Sequence, residues 1–221
     1  MDKAKIRVRM GRYGKELRYA LHLVVRPFSG FWDLKRERRG SLPTALTIVT
    51  LVAVVALMSY QFSGYFFMNP FEREFGMDLR REVVGVYLPF FLWVAANWGF
   101  TTLMDGEGSM KDVAIATGYA LTPLILVNLP VLLVSNLMTL EETEFLSVLQ
   151  SVGVVWTGFL IFVSVVVTHQ YTIPKALVTI VLSIAGMAVL LFVALLFVSL
   201  LQQMVTFFVQ LYTEAGLRWI Q

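Results

Sequence analysis

Cysteine is absent from the 221 residues of this chain, which excludes a disulfide framework, a thiolate metal site and a cysteine nucleophile. Histidine is nearly absent too. His22 and His169 are the only two, so a serine nucleophile would have almost no choice of base. Charge is also scarce: Asp, Glu, Lys and Arg make up 15% of the residues, where soluble domains carry about a quarter. The charges present are gathered in short blocks, leaving residues 42–60, 83–104, 113–137, 145–167 and 176–212 with none. Ionisable side chains inside a membrane mark proton relays, ion paths and catalytic centres. Their absence from all five stretches argues against a proton-coupled transporter, an intramembrane metalloprotease or any other enzyme, and no cofactor or metal is expected.

What fills the chain instead is apolar, with 57% hydrophobic and 14% aromatic residues. Each uncharged stretch reaches, or nearly reaches, the twenty residues or so that a helix needs to cross a hydrocarbon core of about 30 Å. The first begins only after some forty residues of charged sequence and is too long for a signal-peptide core, so it reads as a retained span. The expected fold class is all-α: an integral membrane bundle of about five transmembrane helices with a basic amphipathic N-terminal segment. Residues 1–41 are the cytosolic interfacial segment. Residues 42–221 are the five-span domain, with spans at about 42–60, 83–104, 113–137, 145–167 and 176–198.

The fifth stretch would measure roughly 55 Å as one helix, far more than a bilayer core. Its latter part, with Ser199, Gln202, Gln203, Thr206 and Gln210 among Val205, Phe208 and Leu211, reads as an interfacial or protein-packed extension. Most links are short and imply antiparallel neighbours. The longest, 61–82, holds Phe71 and Phe75, which would anchor an interfacial turn. With the N-terminus inside, fourteen of the 18 Lys and Arg fall on the inner side, and only Arg73, Arg80, Arg81 and Arg218 fall outside. That bias places the N-terminus in the cytosol of a cell membrane and the C-terminus outside.

The N-terminal segment concentrates the positive charge, with twelve basic and four acidic residues through Ser41. Anionic headgroups attract such a cluster by about 1 kcal/mol per basic residue, and a bilayer placed there would outcompete nucleic acid. Leu17, Ala20, Leu21 and Val24 recur at helical spacing, predicting a helix on the inner leaflet that Pro27 ends. Arg26, Phe28, Phe31, Trp32, Lys35, Arg36 and Arg39 are the candidate contacts to lipid or partner, with the aromatics at headgroup level.

Inside the spans the polar side chains are few. Asn97, Asn128 and Thr157 could line a polar seam between spans two, three and four, or simply pair across helices at about 0.6–2 kcal/mol each. Pro123 and Pro130 flank Asn128 and make the third span irregular. Asp105-Gly106-Glu107-Gly108 followed by Asp112 could suggest a cation site. The spacing is not that of a calcium loop, and a Gly-assisted turn with Ser109 or Asp112 starting the next helix is the expected structure. His169 is expected to be solvated or at the interface.

The order of these features resembles the bacterial branch of the Ypt-interacting protein (Yip domain) family. The likeness rests on Arg26-Pro-Phe-Ser-Gly-Phe-Trp-Asp-Leu-Lys35 with Arg39-Gly-Ser41, on Asn97-Trp98 with the stretch from Thr101 to Ser109, and on Ala116-Thr-Gly-Tyr-Ala-Leu-Thr-Pro123. It implies a five-span helical membrane protein with a cytosolic N-terminus, and gives Gly118, Tyr119 and Pro123 a packing role. Eukaryotic relatives interact with Rab-type GTPases. Their Asp-Leu-Tyr-Gly-Pro signature is missing here, Asp33-Leu34-Lys35 being the nearest stretch. The expected function is non-enzymatic: a scaffold or accessory partner of other membrane proteins, such as a transport system, or an organiser of the bilayer, with self-association as a further option. A small channel or transporter component is the alternative.

Overall fold

A computed structural model of the chain describes residues 3–62, 79–137 and 142–218. All regular structure among the described residues is helical, as expected where each backbone amide must be satisfied within its own segment. Five helical stretches are long and apolar enough to cross a membrane: Leu42–Ser59, Leu79–Leu103, Met110–Ser135, Glu144–His169 and Ile173–Thr213. The anticipated turn around Phe71 and Phe75 lies outside the described residues.

Two helices precede the first span: α1 (Lys3–Val25) and α2 (Pro27–Arg36). Pro27 does end α1, but it also opens α2 from the first-turn position, where its missing N–H costs nothing. The first span is α3 (Leu42–Phe62) and the second α4 (Leu79–Leu103). The third span is two helices, α5 (Met110–Ala120) and α6 (Thr122–Ser135), meeting at Leu121. Ser109 caps α5 by accepting from the Asp112 N–H, while the Asp112 carboxylate accepts from the Ser109 N–H at 3.0 Å, a reciprocal capping box. The fourth span is α7 (Thr143–His169), closed by Gln170 in the left-handed region.

The last helix, α8 (Ile173–Arg218), continues unbroken through the polar residues from Ser199 to Gln210. Only 11% of its apolar window is buried, against 28–44% in the other four. Every residue from Ala188 to Thr213 is exposed, so only the first turns of α8 belong to the bundle.

Packing places α3 at the centre, against α4, α5 and α6; α4 lies along α8, and α6 along α7. The approach of α5 to α3 is set by Gly118, where an added Cβ would stand 2.8 Å from the Ala45 Cβ. One apolar core joins Val49 of α3, Trp93 and Val94 of α4, Val113 of α5, and Ala176 of α8. The other brings Ala20 and Leu23 of α1 and Phe31 and Leu34 of α2 onto Ile48, Tyr119, Leu160 and Val163 of the spans. The N-terminal helices are therefore part of the bundle and form a cap over one end of it.

Candidate functional site

The cap is built from a stripe that the expected apolar face of α1 only half described. Leu17 and Val24 are half-buried and Ala20 is buried, whereas Leu21 is exposed and Leu23 is fully buried. The true inward line is Glu16, Ala20 and Leu23, at i, i+4 and i+7. Glu16, only 6% exposed, accepts hydrogen bonds of 2.5 Å from both Ser41 Oγ and Thr44 Oγ1 at the start of α3. A buried carboxylate is tolerated only when bonded in this way. The crossing of α1 and α2 is close: a Cβ on Gly30 would lie 3.0 Å from the Leu23 Cα. The Tyr19 hydroxyl donates to the Gly30 carbonyl at 2.9 Å. Burial, and then the Asp33 carboxylate, push the Tyr19 phenol up to about 12.

On α2 the candidate contacts divide between two faces. Phe31, expected at headgroup level, is 1% exposed and lies in the core, because it shares an inward line with Leu34 that meets α1 and the spans. Phe28 and Trp32 remain outward, 56% and 45% exposed. Arg26, Arg36 and Arg39 are exposed. The Arg36 guanidinium lies 5.0 Å over the Trp32 ring, and Arg39 pairs with Glu37 while lying 5.7 Å over the Tyr19 ring. The cap thus presents a face of arginines and aromatic rings on a helix held from behind.

Lys35, also of the expected contact set, turns toward the spans. Its ammonium donates to the Thr168 carbonyl at 2.6 Å and reaches Glu107 at 3.3 Å. A cation from α2 thereby caps the last turn of α7, where carbonyls lack intrahelical partners and the helix dipole favours positive charge. The neighbouring His169 is also not solvated. It is 2% exposed, accepts from the Gly108 N–H at Nδ1 (3.3 Å) and stacks on Tyr171 with ring centroids 5.4 Å apart.

The Asp105–Gly108 turn closes around this imidazole. A Cβ on Gly106 or Gly108 would stand 2.7 Å from a His169 ring atom, so the two glycines let the turn approach the ring. Asp105 takes a positive φ of 55°, and the Tyr171 hydroxyl donates to the carbonyls of Thr101 (3.2 Å) and Met104 (3.0 Å). Burial, and then Asp105, raise the Tyr171 phenol above its ordinary range. Among the described residues no cluster of three or more His or carboxylate groups could hold a metal.

The proposed polar seam is divided among separate partners. Asn97 is buried on α4 and donates to Ser183 of α8 at 3.1 Å. Thr157 turns back on its own helix, donating to Gly153 at 2.9 Å, and Asn128 is half-buried on α6. Ser183 was missed by the sequence reading, although its place in the run from Ala176 marks it as a small hydroxyl that must find a partner in the membrane. Glu16 was missed as well. Its signal was an acid sharing a helical face with Ala20 and Leu23. Gly118, Tyr119 and Pro123 are all buried, with Tyr119 in the core that joins cap and spans.

A family model described as the Yip1 domain matches residues 21–212. No curated protein and no solved structure matches the chain.

Proposed function

The chain belongs to the Yip1 domain family, and from that premise we propose that this multi-pass membrane protein is non-enzymatic and works as a scaffold or accessory partner of other membrane proteins. The cap carries the reading. Its inner side is fastened to the bundle by Phe31, Leu34, Lys35 and Glu16, while its outer side offers Arg26, Phe28, Trp32 and Arg36 on a preordered helix. Preordering lowers the entropic cost of docking, and Arg with Trp is the composition of binding hot spots. Within the spans, Asn97 bonds across to Ser183 of α8 and Thr157 bonds back to its own helix, consistent with a structural bundle. With the N-terminus in the cytosol, the cap would meet partners and anionic headgroups at the inner face of the cell membrane.

Charge reversal of the outer face tests this. Arg26→Glu with Arg36→Glu alters exposed positions alone, so the variant should insert and melt as the wild type does. Proteins copurifying in mild detergent should be lost by at least tenfold. An unchanged set of copurified proteins overturns the assignment.

A further inference from the structure

The link from α2 to α3 and the first turn of α5 enclose an open cleft of about 620 Å3, within the range of roughly 300–1,000 Å3 typical of small-ligand sites. Its floor is apolar, formed by Leu34, Leu42 and Ile115, and its rim carries Lys35, Arg38 and Lys111 against the single carboxylate of Asp112. The carboxylate is already engaged, accepting from Ser109 Oγ at 2.6 Å and from the Ser109 N–H at 3.0 Å. Lys35 is committed to Thr168 and Glu107. Arg38 and Lys111, by contrast, are exposed and make no ion pair or hydrogen bond among the described residues.

Two further features fit an anion. The first backbone bond of the α5 ladder runs from the Val113 N–H to the Ser109 carbonyl, so the N–H groups of Met110 and Lys111 precede the ladder at the positive end of the helix. Depth is set by the spans themselves. Apolar helices begin at Leu42 and Met110, both beside the cleft, so its rim stands where the hydrocarbon gives way to headgroups.

We propose that this cleft holds the phosphate of an anionic phospholipid drawn from the adjoining leaflet, with Arg38 and Lys111 as its ligands. The apolar floor takes the glycerol ester region below the phosphate. The inference deepens the reading above and rests on it for the cap's position at the membrane surface; it assigns one lipid position distinct from the outer face of α2.

The test counts retained lipid and involves no partner protein, so it can fail independently of the scaffold assignment. Full-length protein is reconstituted in phosphatidylcholine nanodiscs containing one-fifth phosphatidylglycerol, and bound lipid is counted by native mass spectrometry. One phosphatidylglycerol per chain is expected. Arg38→Gln with Lys111→Gln should weaken its retention by about thirtyfold, from the attraction of two basic residues at a surface. Lys15→Gln with Arg18→Gln removes the same charge from exposed positions of α1 and should change retention less than threefold. Equal losses in both variants mean diffuse adhesion and overturn the site. If glycerol 3-phosphate binds saturably in detergent while no lipid is retained, the source is a soluble phosphate and the lipid assignment is overturned. Thermal melting of both variants separates lost binding from lost folding.

Discussion

Lys35 and His169 show how far a side chain's role depends on its surroundings. Both sit in polar stretches next to spans, where water or headgroups would satisfy them, and residue type alone cannot separate that from burial. The fold turns both toward protein: Lys35, half-buried, onto the Thr168 carbonyl, and His169, buried, under Gly108. A charged hydrogen bond in such a place is worth about 1.5–3 kcal/mol. Lys35→Met keeps the apolar stem but removes the ammonium, so the detergent-solubilised protein should unfold at lower temperature by a loss of this size. A change of under 0.5 kcal/mol would mean the contact is a surface pairing. The aromatics of α2 make the same point. Phe28, Phe31 and Trp32 have equal claims to a membrane anchor by composition, yet Phe31 enters the core with Leu34, whereas Phe28 stays exposed with its ring edge-on to Phe159.

At the scale of elements, the break inside the third span follows from Pro123. Its ring excludes a backbone bond to the carbonyl four residues earlier, and that carbonyl, on Tyr119, instead accepts from Thr122 Oγ1 at 2.7 Å. The adjacent Leu124 N–H donates to Leu121 in a tighter turn. Pro123 and Thr122 thus act together, one opening the ladder and the other satisfying what it leaves. Thr122→Val should destabilise by about 1–3 kcal/mol, the cost of weakening a buried polar group's satisfaction. In a Pro123→Ala background, where a backbone N–H is available again, the same substitution should cost less than half as much. A double-mutant cycle of melting in detergent decides it, and additive effects would refute the coupling. The irregularity was legible in the sequence from the prolines, and the start of α5 from Ser109 and Asp112. The exact break was not, because Pro123 and Pro130 both stand in the span and only the first parts two helices; nor was the continuation of α8 as one helix past Ser199, where polar side chains leave the backbone ladder intact.

For the molecule as a whole, the cap makes one end of the bundle polar and ordered, while α8 leaves the other core with its later turns exposed. The absence of cysteine turns orientation into a simple measurement. Ser29→Cys, at an exposed position on α2, should react with a membrane-impermeant maleimide only after the cells are opened, whereas Thr213→Cys on the extension of α8 should react in intact cells. Labelling of both from the same side would require an even number of crossings and remove the proposed topology.

The sequence by itself determined the helical class and the five apolar stretches, because the cost of placing charge in hydrocarbon is levied residue by residue and can be read in one dimension. It also pointed to the family, through residues that prove to lie in the cap and along α5. Only the tertiary structure decided that the N-terminal helices pack onto protein. A lipid tail is as apolar as a protein core, so the faces of α1 and α2 could satisfy themselves against either. The choice comes from the core that Phe31 and Leu34 share with Tyr119 and Leu160 of the spans, and from the seats that the bundle provides for Glu16 and Lys35.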